Sequence, residues 1–130
     1  MKNLLLIFTL LFSSVFVSSP SYAEWTKLLG TSSIGDTFYV DYERIRKYDG
    51  FVYYWRLTDF LLPNEIGDLS GKSYNQGDCK LFRFKILSCI FYTELMGRGS
   101  GRSETAKNPE WNYPPPNSIN ELMLKQVCSR

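Results

Sequence analysis

From Glu24 onward, apolar and aromatic residues come in short runs divided by turn residues, the pattern of strands rather than of long helices. WTKLLG at 25–30 and DTFYV at 36–40 read as two short strands, separated by a turn at Ser33, Ile34 and Gly35. FVYYWRLTDF at 51–60 is the strongest strand, opened by the Asp49-Gly50 dipeptide and bounded by Pro63. The segment from Ser70 to Met96 is longer and holds one or two strands, with Gly77 as a candidate bulge or turn. GRGSGRSETAKNPE, from Gly97 to Glu110, is rich in Gly, Ser and charge and is expected to form a long mobile loop.

The period changes after Tyr113. Pro114, Pro115 and Pro116 stop any sheet. NSINELMLKQVCSR then follows helix grammar: Ser118 and Glu121 make a capping box, and Ile119, Leu122, Met123, Gln126 and Val127 recur at helical spacing. Such a helix needs a sheet to cover its apolar face. With no internal repeat, residues 24–130 read as a single domain.

The leading 23 residues have another character. Lys2 precedes an apolar run from Leu4 to Val17, broken only by Thr9, Ser13 and Ser14, and the segment closes on Ser21 and Ala23. This is a secretory signal peptide with cleavage expected before Glu24. Its apolar core is shorter than the ~20 residues of a membrane span, and no cysteine stands near the cleavage point to carry a lipid. Removing residues 1–23, whose one charge is Lys2, leaves 107 residues and lowers the formal net charge from +2 to +1. A balance so near zero argues against a nucleic-acid binder. The expected location is the periplasm, the cell surface or the medium, where a disulfide can form and a small domain gains from one.

The chain has three cysteines. If residues 79–89 run as one strand, Cys79 and Cys89 stand ~33 Å apart at ~3.3 Å per residue, whereas a bridge needs Cα atoms within ~7 Å. A hairpin turning at Leu87 and Ser88 would set Cys89 opposite Ile86, again away from Cys79. Any intramolecular bridge therefore includes Cys128, and spacing leaves both Cys79 and Cys89 open as its partner.

The chemistry available is limited. The absence of histidine removes Ser-His and Cys-His activation and the commonest zinc ligand, and no C-x-x-C spacing makes a metal box. Asp36, Asp41, Glu43, Asp59, Glu65 and Asp68 sit at turns or strand ends, where carboxylates cap or solvate. Gly97, Gly99 and Gly101 lack the lysine and hydroxyl residue of a phosphate loop. No catalytic residue, cofactor site or metal site is expected, and the chain does not read as an enzyme. Cys89, among Ile86, Leu87, Ile90 and Phe91, reads as a small buried apolar residue with a raised thiol pKa rather than a nucleophile. Lys80, Arg83 and Lys85 interleave with Phe82 and Phe84, a pattern that can read single-stranded nucleic acid. Near-neutral net charge and export favour a protein or glycan partner instead. Tyr53, Tyr54 and Trp55 are of the kind enriched in binding hot spots, although half of that strand must form core.

Trp25, FYVDYERIRK at 38–47, WRLTDF at 55–60, DCKLFRF at 78–84, MGRG at 96–99, the W-x-Y-P-P-P-x-S-I run from Trp111 and the VC at 127–128 occur in an order that resembles the surface-adhesin protein E family of bacterial exported proteins. The resemblance covers essentially the whole mature chain, although each motif is short. It implies a bridge from Cys79 to Cys128 and leaves Cys89 free, an intermolecular disulfide being its alternative. The fold expected is α+β: a small, mostly antiparallel sheet with the C-terminal helix packed on one face and tied by the disulfide. The resemblance also implies attachment to host matrix or serum proteins such as vitronectin, laminin or plasminogen. Lys80, Arg83 and Lys85, beside the clamped Cys79, are the residues expected to contact that partner. The family is named for a lipid-anchored member, and this chain lacks the lipoprotein cysteine. The alternative is a soluble periplasmic protein acting as inhibitor or partner of a cell-wall enzyme. A homodimer is left open.

Overall fold

The alternation in FVYYWRLTDF becomes a strand buried within the sheet. The computed structural model describes residues 24–31 and 34–130, so the signal-peptide reading of residues 1–23 and the Ser33 part of the first turn lie outside the described residues. The strands are β1 (Thr26–Thr31), β2 (Thr37–Val40), β3 (Arg46–Tyr48), β4 (Phe51–Asp59), β5 (Ser70–Asp78), β6 (Arg83–Tyr92) and β7 (Gly101–Thr105), followed by the helix α1 (Ile119–Cys128). They form a seven-stranded sheet in the order β1-β2-β4-β5-β6-β7, with β3 pairing the start of β4 beyond the end of β2. Every described pairing is antiparallel.

Strand periodicity sorts β4 into two sets. Val52 and Tyr54 point toward α1 and join Leu28, Phe38, Val40, Met123, Leu124 and Val127 in one buried cluster. Each such side chain contributes roughly 1.5–3 kcal/mol when fully buried. Burial pushes the Tyr54 phenol up to about 12, so it stays neutral. Gly77 on β5 lies under the helix: a Cβ there would stand 3.0 Å from Leu124 Cδ1 and 2.7 Å from Val52 Cγ1.

The helix begins as its sequence implies, with one change of partner. Ser118 Oγ accepts from the Glu121 N–H at 3.1 Å. The Glu121 carboxylate reaches back to the Asn117 N–H at 3.3 Å rather than to Ser118, whose own N–H donates to the Pro115 carbonyl. At the far end, Cys128 is bridged to Cys79 in the β5–β6 turn, with Cα atoms 5.7 Å apart. Arg56 Nη1 ties the first turn of α1 to β4 through Asn120 Oδ1 at 2.8 Å.

Three local readings are corrected. Residues 97–110 are not one long loop, because Gly101–Thr105 pairs with β6 from Ser88 to Tyr92. An edge strand exposed along its length needs no apolar alternation, since its stability comes from backbone bonds to the neighbouring strand. The Gly-rich start is still a turn, with Gly97 and Gly99 at φ +67° and +80°. Gly77 is neither bulge nor turn but stays in register between Val52 and Phe84. The irregularity falls at Leu87, the extra residue where Tyr74 faces Ser88 and Asn75 faces Ile86. No hairpin turns at Leu87 and Ser88. The chain reverses instead at Cys79–Phe82, where the Asp78 carboxylate accepts the Lys80 and Leu81 N–H groups, each at 3.1 Å.

Candidate functional site

The face of the sheet opposite α1 is covered at one end, where the turn at Leu95–Gly97 packs over the buried Leu57 and Ser70, and is open elsewhere; β4, β5 and β6 send large rings and cations to the open part. Phe51, Tyr53 and Trp55 alternate with the core residues of β4. Tyr74 on β5 stands opposite Trp55 and stacks between it and Tyr53, with ring centroids 4.9 and 6.1 Å away. Offset contacts of this kind add stability beyond the area they bury. All four rings are half-buried, so the face is neither a core nor a solvated polar surface.

At one end of the open part lies Trp111. Asn112 exchanges two backbone hydrogen bonds with Phe84, at 3.0 and 2.8 Å, which pins the segment before the prolines along β6. The indole then stacks on Phe51 at 5.9 Å, and Arg83 and Lys85 lie over it at 4.1 and 4.4 Å. Arg83 Nε also donates to Asp78 at 3.0 Å, and Nη1 reaches the Tyr113 hydroxyl at 3.4 Å. The Leu81 N–H, with the Arg83 bond and the Lys80 N–H, outweighs burial and holds Asp78 below the usual carboxylate range. Partial burial pulls Arg83 down, but its bonds to Asp78 and Tyr113 prevail and keep the guanidinium charged.

Of the three basic residues singled out from sequence, the structure thus brings Arg83 and Lys85 together on one ring. Lys80 is apart from them, exposed in the turn that carries Cys79. Lys80 and Lys85 have no carboxylate partner among the described residues.

At the other end of the face, Trp25, Trp55, Tyr92 and Ile90 wall an open cavity of about 200 Å³ shared with Lys72, Asp41 and Arg44. Neither Lys72 nor this grouping was legible from sequence. Its one signal is the parity of Lys72 with Tyr74 and Gln76 in a strand whose other side carries Gly71, Ser73 and Asn75. Of the aromatic trio at 53–55, Tyr54 belongs to the core and the other two to this face.

The remaining candidates act structurally. Asp41 accepts the Glu43 N–H, Asp36 the Leu61 N–H and Asp59 the Met96 N–H. Asp68 is bound by Asn64 and Arg102 and held below its ordinary pKa, Asn64 being the larger cause. Cys89 is free and half-buried on the helix side, less enclosed than expected. Burial raises its thiol pKa, Arg56 opposes that and Glu104 adds to it. Among the described residues no helix is long and apolar enough to cross a membrane.

A sheet that seals one face beneath a bridged helix and leaves part of the other as a band of rings and cations defines a small, disulfide-clamped α+β domain with a partly open face. Solved structures share this fold. Protein E of Haemophilus influenzae, in its selenomethionine form, superposes with a TM-score of 0.64 at 13% identity, covering 85% of this chain and 89% of that one. Another structure of protein E from the same organism gives 0.61 at 14% identity, covering 84% and 86%. Protein E from the non-typeable organism gives 0.57 at 14%, covering 85% and 80%. No curated protein sequence matches the chain. The sequence model of surface-adhesin protein E matches residues 25–129, and the chain belongs to that family. It is accordingly an exported or cell-surface adhesin.

Proposed function

We propose that residues 1–23 export the chain and that residues 24–130 form one non-enzymatic domain, which attaches to host matrix or serum proteins through the open face of its sheet. Vitronectin, laminin and plasminogen are the partners that family resemblance suggests. The observation that carries this reading is the cluster of Arg83 and Lys85 on Trp111, the Trp111 segment being anchored by the Phe84–Asn112 bridge. Rigid cations and rings meet a partner at lower entropic cost than side chains on a loop, and Trp and Arg are the residue types that dominate interface energetics. Lys80 extends the positive charge along the same end of the molecule. Because Arg83 is already paired with Asp78, Lys80 and Lys85 supply the unmatched charge. Family membership favours this reading over a soluble periplasmic partner of a wall enzyme.

The test has two arms. Protease added to intact cells should reach the protein. Immobilised vitronectin and laminin should bind the wild type more strongly than a Lys80→Ala, Arg83→Ala, Lys85→Ala variant. High salt should narrow the difference, since the Debye length falls from ~8 Å at physiological strength to ~3 Å at 1 M. Equal binding by both proteins would remove this cluster from the interface.

A further inference from the structure

We propose that the cavity between Trp25, Trp55 and Tyr92 is a binding site for a carboxylated sugar ring, of the sialic or uronic acid type. The inference does not rest on the protein-docking reading, because it uses other residues at the other end of the face.

Three features of the cavity call for a ligand of this chemistry. The first is charge. Lys72 Nζ is held 4.9 Å above the Tyr92 ring and 5.7 Å from that of Trp25, yet it has no carboxylate and no hydrogen-bond acceptor among the described residues. Gly97, at φ +67°, leaves it room: a Cβ there would stand 3.1 Å from Nζ. Arg44, the other cation, is already beside Asp41, with Nε 3.5 Å from Oδ2. The cavity therefore carries one unanswered positive charge, and a ligand carboxylate answers it.

The second feature is a missing donor. Asp41 is only 1% exposed. Its Oδ1 accepts the Glu43 N–H, but its Oδ2 is buried and accepts no hydrogen bond, having only the Arg44 guanidinium beside it at 3.5 Å. Buried acceptors are rarely left so, because an unmade bond costs the full desolvation of the group. A neutral O–H donor satisfies this oxygen without adding charge, and a sugar brings several.

The third feature is shape. Trp25, Trp55 and Tyr92 wall the cavity with aromatic surface, against which the polarised C–H groups of a pyranose can pack beside the Lys72 ammonium. The volume of about 200 Å³ is below the ~300–1,000 Å³ of clefts that take drug-sized ligands, and suits one ring. A basic peptide side chain would also favour aromatic walls, but here the ammonium of Lys72 holds that place.

The experiment is ligand-observed NMR and calorimetric titration of the mature protein with 3′-sialyllactose, an unsulfated glucuronate-containing disaccharide, and lactose. A carboxylated sugar should bind roughly tenfold or more tightly than lactose, the worth of one charge-assisted hydrogen bond. Binding of sialyllactose alone, or of the glucuronate alone, names the source of the carboxylate. Lys72→Gln should abolish the preference, and Trp25→Ala should weaken the bound sugars. Arg83→Ala with Lys85→Ala should leave sugar binding intact, which separates this site from protein docking. Lactose binding as tightly as the acids, no binding by any sugar, or an unchanged preference in Lys72→Gln would overturn the proposal. If Lys72→Gln fails to fold by circular dichroism, the wild-type indole N–H resonances of Trp25 and Trp55 decide the matter: they must shift on sialyllactose or glucuronate addition, and unmoved resonances overturn it.

Discussion

Adding a single methyl group at Gly77 probes how the helix is seated. An ideal Cβ would stand 2.7 Å from Val52 Cγ1, 3.0 Å from Leu124 Cδ1 and 3.4 Å from Tyr54 Cε1, whereas ordinary contact starts near 3.4 Å. The Val52 methyl must therefore retreat by about 0.7 Å and that of Leu124 by about 0.4 Å. Neither has free space, since Val52 is 2% and Leu124 0% exposed, and a β-branched valine has little χ1 freedom. Overpacking costs ~1–3 kcal/mol, and two immobile neighbours place Gly77→Ala in the upper half of that range. Loss of glycine freedom in the unfolded chain returns ~0.4–1 kcal/mol. The net expectation is a loss of about 1–2 kcal/mol, read in urea denaturation of the oxidised protein as a lower midpoint with unchanged slope. In a Leu124→Ala background the same substitution should cost less, because its obstacle is gone. A midpoint unmoved by Gly77→Ala, or equal costs in both backgrounds, would show that α1 does not rest on this glycine.

Two further expectations follow from the clamp and the turn it holds. Cys128→Ser opens a bridge spanning a sequence separation of 49. Loop entropy puts the loss at about 4 kcal/mol, so the variant should denature with the reduced wild type, while Cys89→Ala should cost less; coincidence of Cys128→Ser with oxidised wild type would contradict this. Asp78 and Asp68 have folded pKa values below their unfolded ones, so their contribution is complete above the unfolded carboxylate value of ~3.9 and is lost as pH falls through the folded values. Asp78→Asn should flatten the acid limb of the stability profile, and an unchanged limb would remove Asp78 from the account.

The strands at 37–40 and 51–59 and the capped helix were legible because each buries one side of a periodic segment, and periodicity is what a sequence displays; the strand at 26–31, which buries only Leu28 among its described side chains, was legible as a short apolar run bounded by a turn. β3 and β7 escaped for the opposite reason. Arg46, Lys47 and Tyr48 are all exposed, and β7 is exposed throughout, so neither leaves an apolar trace; both are held by backbone pairing that no composition records. The Cys79–Cys128 bridge came through family resemblance, since spacing alone left two partners open. The open face was half visible. Tyr53 and Trp55 stood out as aromatics, but their alignment with Tyr74 depends on the β4–β5 register, and the gathering of Lys72 with Trp25 and Tyr92 depends on strands far apart in the chain.

The extra residue at Leu87 acts as a phase shift. On its N-terminal side the odd-numbered residues of β6, Arg83 and Lys85, lie on the open face; on its C-terminal side the even-numbered ones, Ile90 and Tyr92, do. One strand thereby delivers cations to Trp111 and walls to the Lys72 cavity, which strict alternation would forbid. Were Leu87 drawn into regular pairing opposite Tyr74, every residue beyond it would move one position along β5. Cys89 and Phe91 would then exchange faces with Ile90 and Tyr92, placing a thiol on the open face. Deleting Leu87 would not do this, because Ile86 already faces Asn75 and Ser88 already faces Tyr74, so the strand would close up with its faces unchanged. The bulge thus sets which residues of the distal half of β6 look outward, while β4, β5 and the helix stay as they are.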